Sequence, residues 1–170
     1  TLLHRRTQDA PSDDGGMPRK VLFVSATMVA AYCTDLIVIW DLHRGVVAHT
    51  LTPKKADAVY RDVVTEHGKL YALVWSTETH KAQIHCMTPE TGKVTQKIKA
   101  SKGSGEAVAL AVTGSTAVVR FESSLRILDL TNGDKIAKYS LANPLSWTQQ
   151  HSSGLVVVVA QGDVVATMDG

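Results

Sequence analysis

The chain has 170 residues, 44% of them apolar but only 5% aromatic, and carries a net charge of +2. That length has room for a real core, and so mild a basic excess does not by itself point to nucleic acid. The two cysteines, Cys33 and Cys86, stand far apart with no Cys-x-x-Cys pair; this argues against a disulfide framework or a cysteine zinc site and fits a reducing, intracellular setting.

In chain order, residues 1–18 come first, polar and with Pro11-Ser12-Asp13-Asp14-Gly15-Gly16 in a row. They bury too little apolar surface to offset the entropy of ordering, and read as a flexible tail or an inter-repeat loop. Beyond Met17 the texture changes to short β-branched runs punctuated by Gly, Asp, Asn, Pro and Ser. No 3.6-residue apolar period persists, so the fold class expected is all-β. Strands are predicted at 20–24, 28–33, 36–42 and 46–51, at 58–65, 70–76, 83–88 and 93–99, and at 107–112, 117–121, 125–130 and 135–141. A last group is predicted at 145–149, 155–160 and 164–168. The longest apolar run, 155–160, is far too short to cross a bilayer, and no membrane partner is expected.

These strands fall into a repeat. Leu36-Ile37-Val38-Ile39-Trp40-Asp41-Leu42 precedes Gly45, Gln83-Ile84-His85-Cys86-Met87 precedes Gly92, and Leu125-Arg126-Ile127-Leu128-Asp129-Leu130 precedes Gly133. Asp163-Val164-Val165-Ala166-Thr167-Met168-Asp169 makes a fourth copy. A period of about forty residues holding four strands is the mark of β-propeller blades. Residues 19–170 are therefore expected to form about three and three-quarter four-stranded blades, at 19–52, 57–100, 106–142 and 145–170, of a larger ring whose remaining blades are needed to close it. Strands packed by neighbours on both faces, such as Leu36 to Trp40, should be apolar throughout; outer strands such as 93–99 should alternate. Trp40, Met87, Leu128 and Met168 occupy matching places and are expected to pack between blades. Asp41, Gly45, Gly92, Asp129 and Gly133 are further structural repeat positions, and the turns between third and fourth strands carry Arg44-Gly45, Thr91-Gly92 and Asn132-Gly133, the last a hairpin dipeptide in which both residues tolerate positive φ.

Ile39-Trp40-Asp41-Leu42 resembles the third-strand ending of a WD repeat, and Ile127 to Gly133 looks like a degenerate version. The chain departs from that family in having no Gly-His dipeptide at 53–57 or 101–106, which implies an incomplete hydrogen-bond network between that dipeptide and the Trp-Asp ending. Thr91-Gly92-Lys93 and Ser124 to Leu130 are similar in style to nucleolar WD-repeat subunits of the small-subunit processome. That resemblance implies a non-catalytic scaffold for protein–protein or ribonucleoprotein assembly in ribosome biogenesis and small-subunit rRNA processing, located in the nucleus or nucleolus. It lends no catalytic, cofactor-binding or metal-binding residues.

Lys54, Lys55, Lys99 and Lys102 are predicted in loops on one face of the propeller and are candidates for a basic patch that meets RNA or an acidic partner. The commoner meaning of such lysines is solvated loop charge. His80, His85 and Cys86 raise a metal site, but consecutive strand residues point to opposite faces, so His85 and Cys86 cannot share one. Ser124, His151 and Asp129 have no nucleophile-elbow context, and Lys102-Gly103-Ser104-Gly105 lacks phosphate-loop spacing. The alternative to a scaffold is a quinoprotein-like propeller, as a luminal membrane-complex subunit or a dehydrogenase. The adjacent cysteines typical of that family are missing here.

Overall fold

The computed structural model describes residues 18–102, with Lys102 as backbone only, residues 105–140, and the backbone of 156–160 and 163–167. Most of the expected polar tail, the strand expected at 145–149, and Met168 lie outside the described residues. The first sheet is β1 (Lys20–Phe23), β2 (Met28–Tyr32), β3 (Ile37–Asp41) and β4 (Val46–Leu51). The second is β5 (Ala58–Glu66), β6 (Lys69–Ser76), β7 (Lys81–Thr88) and β8 (Lys93–Lys102). The third is β9 (Ala107–Thr113), β10 (Thr116–Phe121), β11 (Ser124–Asp129) and β12 (Lys135–Ser140), and β13 (Val156–Ala160) pairs with β14 (Asp163–Thr167). Every pairing is antiparallel between sequence neighbours, so each four-stranded sheet is a simple meander.

The meanders stack side by side as blades. Strands β1, β5 and β9, the first of each, lie next to one another at the inner end. Between blades one and two lie Leu22, Val24, Ala30, Tyr32, Ile37 and Ile39 on one side and Tyr60, Val63, Leu70, Ala72, Val74 and Met87 on the other. Between blades two and three lies a second layer holding Leu73, Trp75, Ile84 and Ile98 against Leu110, Val119, Phe121 and Leu128. Blade two thus gives one face to each of two separate apolar layers, as strand alternation requires.

Burial follows this stacking, with one correction to the sequence expectation. The strand buried along nearly its whole length is β6, which has a blade on each face. In β3 burial alternates: Ile37 and Ile39 are fully buried against blade two, whereas Val38 and Trp40 are only half-buried on the opposite face. The cross-strand row Phe23, Val29, Trp40 and Val47 lies on that opposite face, and Phe23 is 76% exposed. Met87 and Leu128, the counterparts of Trp40, are each 2% exposed because a preceding blade covers them. Continuous apolarity in Leu36 to Trp40 therefore marks a strand built for two covered faces, of which one is covered here.

Turn chemistry follows the expected positions but not always the expected mechanism. Gly45, Gly92 and Gly133 all have positive φ, at 65°, 64° and 80°. Asn132 does not; its side-chain Oδ1 instead accepts the Asp134 amide at 2.9 Å, while Gly133 N donates to Asp129 O at 2.8 Å. The two-residue turn with both φ values positive occurs at His67-Gly68, at 49° and 70°, between the paired Glu66 and Lys69. Asp41 and Asp129 close their turns by accepting the amides of Arg44 at 3.0 Å and Thr131 at 2.7 Å. The glycines differ in what surrounds them. A Cβ on Gly45 meets nothing within 4 Å, whereas one on Gly92 sits 2.9 Å from the His49 ring, which Glu90 O holds at 2.9 Å. Gly45→Ala is expected to cost about 1 kcal/mol from φ alone, and Gly92→Ala roughly twice that. Urea titration of the two variants side by side checks the ordering.

Candidate functional site

Two polar constellations stand out from the apolar layers. The first is at the inner end, where β5 carries a bulge between Tyr60 and Asp62. The bulge turns the Asp62 carboxylate so that it accepts from Lys20 Nζ at 3.2 Å, from its neighbour Val63 N at 2.8 Å and from Leu110 N at 2.9 Å. One carboxylate therefore ties strands from all three blades. Beside it the Tyr32 hydroxyl donates to Arg61 O at 3.1 Å, and its pKa is pushed up to about 12, first by burial and then by the Asp62 charge. Arg61 pairs with Glu106 across the same seam. Nothing in the sequence pattern marks Asp62, because the two partners it draws from the neighbouring blades are separated from it by more than forty residues.

The second constellation is at the outer rim, where blades one and two meet. In the register of β7 and β8, His85 is opposite Lys97, Gln83 opposite Lys99, and Lys81 opposite Lys102. Lys99 and Lys102 are strand residues and not loop residues as the sequence suggested, because β8 runs to Lys102 through a bulge opposite Ala82 and Gln83. Lys54 and Lys55 lie in the exposed connection from β4 to β5, as expected. His85 shares a face with Ala72 and Met87, toward blade one, and its Nε2 lies 3.2 Å from Gln83 Oε1. Cys86 points the other way, into the layer beneath blade three beside Tyr71, so His85 and Cys86 do lie on opposite faces. His80 packs edge-on against Trp75, with ring centroids 5.8 Å apart.

Burial lowers the His85 pKa to about 4, with smaller contributions from the Lys97 and Lys54 charges. A folded value below the unfolded one means that the folded state binds fewer protons there. Its stability contribution is complete above about pH 6.5 and is lost as pH falls toward 4, by about 2 kcal/mol at pH 5. Comparing unfolding free energies at pH 7 and pH 5 for the protein and for His85→Gln tests this. The variant's pH dependence should be flatter by that amount.

A third network replaces the missing Gly-His in blade two. Asp57, in the loop where that dipeptide was sought, accepts the Ser76 hydroxyl, which in turn contacts Thr79 Oγ1 at 2.5 Å. Thr77 Oγ1 closes on Asp57 O at 3.0 Å. The loop is thus pinned by an Asp–Ser–Thr chain whose members are spread over residues 57 to 79, so that no single dipeptide marks it in the sequence.

Meander sheets stacked on apolar layers around adjoining first strands leave one architecture. The fold is that of β-propeller blades. No family model matches the sequence, and no curated protein matches it. Solved structures match it in fold. The computationally designed protein Ika8 superposes with a TM-score of 0.59 at 13% identity, over 86% of this chain and 41% of its own. The WD40 propeller domain of Doa1 superposes with a TM-score of 0.54 at 16% identity, over 86% and 45%. A europium-containing methanol dehydrogenase superposes with a TM-score of 0.51 at 15% identity, over 74% and 25%. The chain spans less than half the length of each of these three structures. Among the described residues no group of three or more His, Cys, Asp or Glu side chains is placed to hold a metal ion.

Proposed function

We propose that this chain supplies blades to a non-catalytic β-propeller scaffold for protein assembly, completed by further blades that cover the face bearing Phe23 and Trp40. The supporting observation is the contrast along one repeat position: Met87 and Leu128 are buried by a preceding blade, while Trp40 and its row Phe23 and Val47 are not. An apolar row of that kind is a surface made to be covered. Within that role, the resemblance of Thr91-Gly92-Lys93 and Ser124 to Leu130 to processome subunits supports assembly of a ribosomal precursor particle, in the nucleolus, with protein partners and RNA. Affinity capture of the full-length protein from nuclear extract, with and without ribonuclease, tests this. Recovery of preribosomal proteins with small-subunit precursor RNA is the expected result, and their absence defeats the ribosomal setting.

The likeness to a methanol dehydrogenase favours a second reading, a quinoprotein-like propeller. Its signature is the absorbance of a bound quinone or a calcium requirement, neither of which a scaffold shows.

A further inference from the structure

The outer-rim lysines of blade two lie along a free sheet edge and beside the lysines of blade one. Strand β8 is the edge of its sheet and leaves a row of unpaired backbone groups. Lysines commonly guard such edges, and on β12 Lys135 and Lys138, opposite Leu128 and Arg126 with a bulge between them, share one face. On β8, Lys97 and Lys99 stand on one face, the face toward blade one, with Lys102 following opposite Lys81. Blade one adds Lys54 and Lys55 from across the seam, and Lys54 is near enough to bear on His85.

One feature makes this arrangement costly unless it is used. Inner-ring cations have carboxylate partners, Lys20 with Asp62 and Arg61 with Glu106, whereas Lys54, Lys55, Lys81, Lys97 and Lys99 have none within 4.0 Å among the described residues. Of the carboxylates at the same end of blade two, Asp57 is already held by Ser76, and Glu78 stands exposed in the β6–β7 turn.

We propose that an extended acidic segment of a partner protein docks along β8 as a fifth strand, setting alternate carboxylates over Lys97 and Lys99, with Lys54 closing on them from blade one. This rests on the scaffold reading and names the chemistry of one of its partners. The spacing fits: same-face residues of an extended strand recur every ~6.6 Å, so acids at alternate positions follow lysines at alternate positions. Main-chain pairing supplies affinity and the side-chain row supplies register. A protein segment is favoured over RNA because single-stranded RNA is held largely by aromatic platforms. Among the described residues Trp75 is buried, and the exposed Phe23 and Tyr139 belong to β1 and β12 and not to β7, β8 or the β4–β5 connection.

The test uses the whole protein and three labelled probes: a peptide of about twelve residues with glutamate at alternate positions, the same composition with its glutamates in one block, and a single-stranded RNA of matched charge. Fluorescence anisotropy should show the alternating peptide binding about tenfold tighter than the block peptide. The triple variant Lys54→Gln, Lys97→Gln, Lys99→Gln should lose about tenfold of that affinity, and Lys135→Gln with Lys138→Gln should change it less than about twofold. Equal binding of the two peptides, or equal loss in both variants, reduces the effect to bulk charge and overturns the proposal. Tighter binding of the RNA through the same three lysines makes the rim a nucleic-acid surface and overturns it as well. Carbodiimide cross-linking of the alternating peptide, mapped by mass spectrometry, must give adducts at Lys97 or Lys99 even if the triple variant fails to fold. A melt and β-type circular dichroism recorded before any probe is added separate failure of the propeller from failure of the site.

Discussion

Replacing Phe121 with alanine is expected to destabilise the protein by about 4 kcal/mol. The ring is fully buried in the layer between blades two and three, where it shares the core with Trp75, Ile84, Val119 and Leu128. The Arg126 guanidinium sits over it, 5.3 Å from the ring centroid, so truncation also removes a cation–π contact. The cavity left behind is flanked by β-sheet on both sides, which cannot close up without sliding one blade against the next. The second phenylalanine of the chain provides an internal control. Phe23 is 76% exposed, and Phe23→Ala should change the unfolding free energy by less than about 0.5 kcal/mol. Guanidinium titration of both variants decides it, and equal costs would mean that the stacking of the faces described above is wrong.

Asp62→Ala should cost about 3 kcal/mol, although it removes no apolar contact. The loss has three parts. The Leu110 and Val63 amides lose their acceptor, the Lys20 ammonium loses its counter-charge, and the bulge in β5 loses the group that fixes it. The side chain of Asp62 is 13% exposed and that of Lys20 is 40% exposed. Solvent screens the lysine's share, so Lys20→Ala is expected to cost no more than about 1 kcal/mol. The inequality between the two ends of one ion pair is the point of the measurement. If they cost the same, the carboxylate acts only through Lys20 and its role as a tie among three blades fails.

Much of the fold was legible in the sequence, for identifiable reasons. Glycines with positive φ are local devices, so Gly45, Gly92 and Gly133 could be placed from the repeat alone, and the strands between them followed from β-branched runs, whereas the turn closure by Asp41 and Asp129 shows only in the structure. Packing at Met87 and Leu128 was readable for the same reason. Features that depend on register were not. Strand β8 ends where a bulge opposite Ala82 and Gln83 lets it end, and that moved Lys99 and Lys102 from an expected loop into a strand. Asp62 looked like one more polar strand residue, since its function is set by a bulge and by partners in neighbouring blades. At the rim, the loop lysines were visible but Lys97 was passed over, because only pairing with β7 shows it beside Lys99 on the face toward blade one.

The two apolar layers join unlike surfaces: the face of a blade that receives Met87 or Leu128 differs from the face that presents it. Association of this head-to-tail kind has no built-in stopping point. It ends only when the turn from one unit to the next returns to the start, and otherwise it grows as a filament. The angle between neighbouring blades is held at the inner end, where Asp62 ties β1, β5 and β9 together. Loosening that tie is expected to change how one blade turns on the next without altering a residue of the apolar contact surfaces.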